Sequence, residues 1–157
     1  MMNRIATRPI SLYFLNLVAI LFIYSTALAL EPVAVIVNKT NPASDISVAE
    51  LASILKGRKL RWNDSQKILK INMPAETTAR RDFYQAALDT DPHSKITLPG
   101  SNESYDGIIA PNEKAMLALV AGNSNAIGYV YSSNITNSVK VLRISGALPR
   151  DSGYPLK

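Results

Sequence analysis

The sequence predicts an α/β domain, a central and mostly parallel sheet flanked by helices. Three observations lead there. Val33 to Val37 (VAVIV) is a continuous apolar run rich in β-branched residues, the pattern of a strand buried on both faces. Strand-like segments then alternate with helical segments of about three turns. Helix caps and glycine stops mark the ends of those segments.

The elements follow in order. Pro32 and the turn cluster Asn38-Lys39-Thr40-Asn41-Pro42 bound the first strand. Ser47-Val48-Ala49-Glu50 is a capping box, in which the serine hydroxyl accepts from the third helical amide and Glu50 reaches back. Val48, Leu51, Ala52 and Leu55 recur at helical spacing, and Gly57 stops the helix in the left-handed region. Arg58 to Trp62 (RKLRW) with Asn63-Asp64 forms a basic loop around the single tryptophan. Ile68 to Asn72 (ILKIN) alternates and reads as a second strand, ended by Met73-Pro74-Ala75-Glu76. A second helix starts at or beside Thr77, with Ala79, Phe83, Ala86 and Ala87 on its apolar side. Asp89 to Asp106 is polar and punctuated by prolines and glycine, and yields no element. Pro111-Asn112 opens a third helix with Met116, Leu119 and Val120 inward, ending at Gly122-Asn123. Ala126 to Tyr131 (AIGYVY) and Val139 to Ile144 (VKVLRI) are strands. Gly128 is expected to admit a close helix approach and Tyr129 to fill core. The polar tail from Gly146, with Pro149, Gly153 and Pro155, is expected to fray.

Length and composition bound the rest. At 157 residues with 47% apolar content, the chain suits one domain plus a targeting segment. Met1 to Pro9 is short and basic, Ile10 to Tyr24 is apolar, and Ala27-Leu28-Ala29 offers small residues where a signal peptidase reads. The division is thus a signal peptide at 1–29, a domain at 30–146 and a polar tail at 147–157, with the mature chain periplasmic. An uncleaved anchor is the other reading, since the apolar stretch to Leu30 approaches the ~20 residues that span a bilayer. The net charge is +5, and without Arg4 and Arg8 it is +3. That mild excess excludes a nucleic-acid footprint. With no cysteine there is no disulfide scaffold, thiolate zinc site or cysteine nucleophile.

Enzyme and cofactor templates fail on inventory. His93, the one histidine, sits in Asp-Pro-His-Ser with no Gly-x-Ser-x-Gly elbow anywhere, and reads as a loop residue. Asp89, Asp91 and His93 alternate, but Pro92 interrupts them and no calcium loop follows. There is no phosphate-cradling glycine loop and no dinucleotide fingerprint, so no cofactor and no metal are called for. The stretch Pro74-Ala75-Glu76-Thr77-Thr78-Ala79-Arg80-Arg81 offers more. It lies where a strand end becomes a helix start, and the first amides there lack intrahelical partners and carry partial positive charge. Two threonines and two arginines in that turn suit a tetrahedral oxyanion. The plain alternative is an ordinary N-cap with solvated arginines. Trp62 among Arg58, Lys59 and Arg61 reads either as a partner-binding patch or as a ring packed on the core beneath a solvated basic face.

The segment order, with "ILKGRKLRW" and "NAIGYV" as its best marks, resembles the substrate-binding proteins of phosphate ABC transporters. More narrowly, it is similar to short, single-lobe members of the type-II periplasmic-binding-protein-like superfamily, over most of Val33 to Ile144. The resemblance implies helices on both faces of the sheet and a non-enzymatic phosphate-binding role. Full-size receptors grip phosphate between two lobes, this lobe's share being an arginine after the strand and a Ser-Gly-Thr at the helix start. On those positions fall Met73, which has no donor, and Thr77, Thr78 and Ala79, the last without a hydroxyl. Arg80 falls on the arginine that often follows, and Arg81 adjoins it. The ligand so implied is inorganic phosphate or a similar oxyanion, held weakly by one open lobe. The rival reading is an accessory module docking on a membrane transporter, porin or sensor. Oligomeric state stays open.

Overall fold

The computed structural model describes residues 30–89 and 107–157. The export segment, His93 and nearly all of the stretch 89–106 lie outside the described residues. A five-stranded sheet runs in the order β4-β3-β5-β1-β6, built from β1 (Val33–Asn38), β3 (Leu69–Asn72), β4 (Ile108–Ile109), β5 (Ala126–Tyr131) and β6 (Val139–Val141). A separate parallel pair joins β2 (Asp45–Ile46) to β7 (Arg143–Ile144). The helices are α1 (Val48–Leu55), α2 (Thr78–Leu88) and α3 (Glu113–Gly122).

Of the five pairings among the described residues, three are parallel: β3 with β4, β3 with β5, and β2 with β7. Strand β1 runs antiparallel to both neighbours, β5 and β6. It is buried along its whole length, as its unbroken apolar run requires. Helices cover both faces, and β5 shows how. A Cβ on Gly128 would stand 2.4 Å from Met116 Sδ and 3.0 Å from Val120 Cγ2, so α3 lies directly over that face. The next residue, Tyr129, points the other way and stacks on Phe83 of α2 at 4.1 Å between ring centres.

Caps form where the residues allow them. Ser47 accepts from the Glu50 amide at 3.0 Å. The Glu50 carboxylate, expected to reach back to the cap, pairs instead with Lys59 across the loop. Gly57 adopts φ 67°, its amide donating to Ile54 and that of Arg58 to Ser53, so the helix ends in a Schellman motif. Asn112 caps α3 through the Ala115 amide at 2.9 Å. Buried Asn38 closes the other end of α3, donating to the carbonyls of Val120 and Ala121.

Four further expectations change. The alternation of ILKIN does not leave Lys70 and Asn72 in solvent. Strand β3 sits between β4 and β5, both residues are buried, and Lys70 donates to the Leu55 carbonyl at 3.1 Å. The strand expected over 139–144 is divided. The Leu142 amide still bonds Val35, but the chain then leaves β1 and Arg143 bonds Ser44 beside β2. Leu119 is only half-buried, because the α3 face that meets β5 runs through Met116 and Val120. The tail does not fray. Leu156 is fully buried, its carbonyl accepts from the Val33 amide at 3.0 Å, and the Tyr154 hydroxyl donates to the Val33 carbonyl at 2.8 Å. Apolar residues at 154 and 156 within a polar context are enough to seat it.

Candidate functional site

Strands β3, β4 and β5 share one direction, and their carboxyl ends carry Asn72, Ile109 and Tyr131. Helix α2 starts after the first and α3 after the second, so both amino termini open at the edge where α/β sheets bind ligands. Within that mouth, Thr77 occupies the N-cap of α2 with extended geometry, φ −74° and ψ 138°. Its hydroxyl donates to the Pro74 carbonyl at 2.8 Å and caps no helical amide. Among the described residues, the amides of Thr78 and Ala79 bond no acceptor.

The five sequence-predicted residues are therefore brought together but not alike. Thr78 is exposed, while Ala79 and Arg80 are buried at 6% and 4% exposure. Arg80 turns inward: its Nη1 donates to the Met73 carbonyl at 2.7 Å, and its guanidinium lies 5.0 Å over the Tyr84 ring. Arg81 is exposed, with Nε 3.5 Å from Asp82. Met73, on the position implied for an arginine, is buried as core.

Reasoning from the sequence missed the polar network beneath this turn. Asn72 Oδ1 accepts from the Tyr129 hydroxyl at 2.6 Å and from the Met73 amide at 3.2 Å, and Asn72 Nδ2 donates to the Tyr84 hydroxyl at 2.6 Å. All four groups are buried, so the strand end is held to β5 and α2 by satisfied bonds. The one available signal was an asparagine closing an apolar strand between two tyrosine-bearing elements. Two carboxylates also stand at the mouth. Asp82 accepts from the Tyr131 hydroxyl at 2.6 Å, and Glu113 accepts from the Tyr131 amide at 2.7 Å and from the Asn134 side chain. Burial and then the Asp82 bond push the Tyr131 hydroxyl well above the ordinary tyrosine range. Among the described residues no cluster of histidine and carboxylates is placed to hold a metal, and no helix is long and apolar enough to cross a membrane.

Solved structures match this fold, among them three receptors. An ABC-type phosphate transport receptor from Vibrio cholerae aligns with 25% identity and a TM-score of 0.66, over 76% of this chain and 48% of its own. A putative phosphate ABC transporter substrate-binding protein from Clostridium perfringens, solved with bound phosphate, aligns with 24% identity and a TM-score of 0.58, over 74% and 46%. PstS from Borrelia burgdorferi aligns with 18% identity and a TM-score of 0.62, over 80% and 54%. The fold is that of the substrate-binding proteins of phosphate transporters. The chain spans about half the length of the solved receptors it matches. No protein-family model matches the sequence, and no curated protein matches it. In this receptor-type fold the α2 amino terminus sits at the sheet's carboxyl edge, with the unbonded amide of exposed Thr78 first and the buried Arg80 in the same turn.

Proposed function

We propose that this chain is a non-enzymatic binding lobe of the phosphate-receptor type, holding phosphate or a related oxyanion weakly where α2 begins. Thr77, Thr78, Ala79, Arg80 and Arg81 form the binding turn. The observation that carries the reading is the uncapped first turn of α2 at the carboxyl end of β3. The chain works in the periplasm after loss of residues 1–29, in association with phosphate transport or sensing.

Magnitudes set the strength. A sheltered helix terminus gives at most ~2 kcal/mol, and each charge-assisted hydrogen bond roughly 1.5–3 kcal/mol. Immobilising the anion takes back several kcal/mol. A net near 4 kcal/mol corresponds to about millimolar affinity. The carboxylates of Asp82 and Glu113 at the same mouth lower it further. A second reading follows from Arg80 being committed to Met73 and Arg81 lying beside Asp82: a module that docks on a membrane transporter, porin or sensor and holds no small ligand.

The deciding experiment is a thermal-shift titration with phosphate, sulfate and a neutral control on the wild type and Thr78→Pro. Proline at the first helical position deletes the unbonded amide yet suits the helix, and Thr77 already has the extended geometry that must precede it. A phosphate-dependent rise that disappears in Thr78→Pro supports the site. No rise at ~10 mM phosphate favours the docking module, because binding to the folded state must stabilise it.

A further inference from the structure

The positive charge of the mature chain is concentrated in one loop. Residues 56–67 carry five bases against Asp64, whereas the rest of 30–157 carries ten bases against eleven acids. The loop is built rather than slack. Its only tryptophan, Trp62, packs on the core and donates its indole N–H to the Asn125 carbonyl at 2.9 Å. The Ile68 amide bonds the Leu60 carbonyl, the Trp62 amide bonds the Gln66 carbonyl, and Arg61 pairs with Lys67 in an antiparallel bridge.

That bridge puts two basic residues at paired positions, which costs stability where like charges face each other, and Arg61 Nη1 donates only to the Asp64 carbonyl, at 3.0 Å. Among the described residues neither makes an ion pair, and nor does Arg58; all three are exposed. Leu60 stands among them, 48% exposed. Cations around a projecting apolar side chain match the headgroup and upper acyl levels of an anionic bilayer. An acidic protein face would satisfy the bases but leaves Leu60 without a reason to project.

We propose that residues 56–67 form a docking surface for an anionic phospholipid bilayer, with Arg58, Arg61 and Lys67 at the headgroups and Leu60 entering between them. The surface is separate from the α2 turn and does not depend on phosphate binding there. Each exposed base contributes on the order of fivefold to the partition coefficient, and the attraction weakens with salt.

The test uses the full chain and the fluorescence of Trp62, which reports this loop and not the apolar residues 10–24. Vesicles of phosphatidylcholine, with or without phosphatidylglycerol, carry a bilayer-depth quencher. Quenching that needs phosphatidylglycerol, falls with salt, and drops on the order of 100-fold in apparent affinity in R58Q/R61Q/K67Q supports the proposal. A charge-preserving R58K/R61K variant should retain it, and circular dichroism verifies that each variant is folded. Equal quenching on pure phosphatidylcholine, or none on either, overturns it. So does loss of quenching with inorganic phosphate at matched ionic strength, which would make the loop a free-anion site. Saturable binding to polyglutamate without vesicle quenching would assign it to an acidic protein instead.

Discussion

The Tyr131 hydroxyl, at the end of β5, donates to Asp82 Oδ2 in the first turns of α2 at 2.6 Å. This bond fixes a negative charge close to the turn proposed to receive an anion. Asp82→Asn keeps an acceptor for Tyr131 and removes the charge. The expected result is a phosphate affinity raised roughly threefold, with the gain shrinking at high salt. Calorimetric titration at two ionic strengths checks both parts.

Arg80 is expected to matter to folding before it matters to binding. It donates to the Met73 carbonyl from a buried position and packs over Tyr84. Arg80→Ala removes a charged donor and a buried stem, so it should cost about 2 kcal/mol or more in denaturant unfolding. A loss of phosphate binding in that variant is informative only where circular dichroism shows it folded.

Gly128 lies under α3 with no room for a methyl group beside Met116 and Val120. Gly128→Ala should destabilise by about 1–3 kcal/mol as α3 is pushed from β5. Combined with Met116→Ala, the two losses should sum to less than their separate costs, since the Met116 sulfur is the nearest atom in the way. Chemical unfolding of the two single variants and the pair measures the coupling.

Tyr154 and Leu156 close the amino-terminal end of β1. Leu156→Ala should cost about 3 kcal/mol, the scale of a fully buried leucine. Burial pushes the Tyr154 hydroxyl up to about 12, whereas it titrates near 10 when unfolded. The folded state therefore holds this proton more tightly. Its contribution to stability is complete below pH 10 and is lost as the pH rises from there towards 12. Melting curves of wild type and Tyr154→Phe across that range should converge at the alkaline end.

The amino-acid sequence by itself determined the three helices, the longer strands and several of their ends, but not β2, β4 or the break between β6 and β7. The apolar run of β1, the cap at Ser47, the glycine stop at Gly57 and the start of α2 at Thr77 are each set within a few neighbouring residues. Local sterics and hydrogen bonding act over that range, so those features are legible without coordinates. Partners distant in the chain were decided only by tertiary structure. Lys70 and Asn72 look like the wet side of a strand until β4 and β5 enclose them, and the tail looks loose until β1 offers Val33. Arg80 looks like a free cation until the Met73 carbonyl and Tyr84 ring close around it. In each case a side chain's environment depends on which surfaces the fold brings to it, and burial against those surfaces outweighs the local pattern.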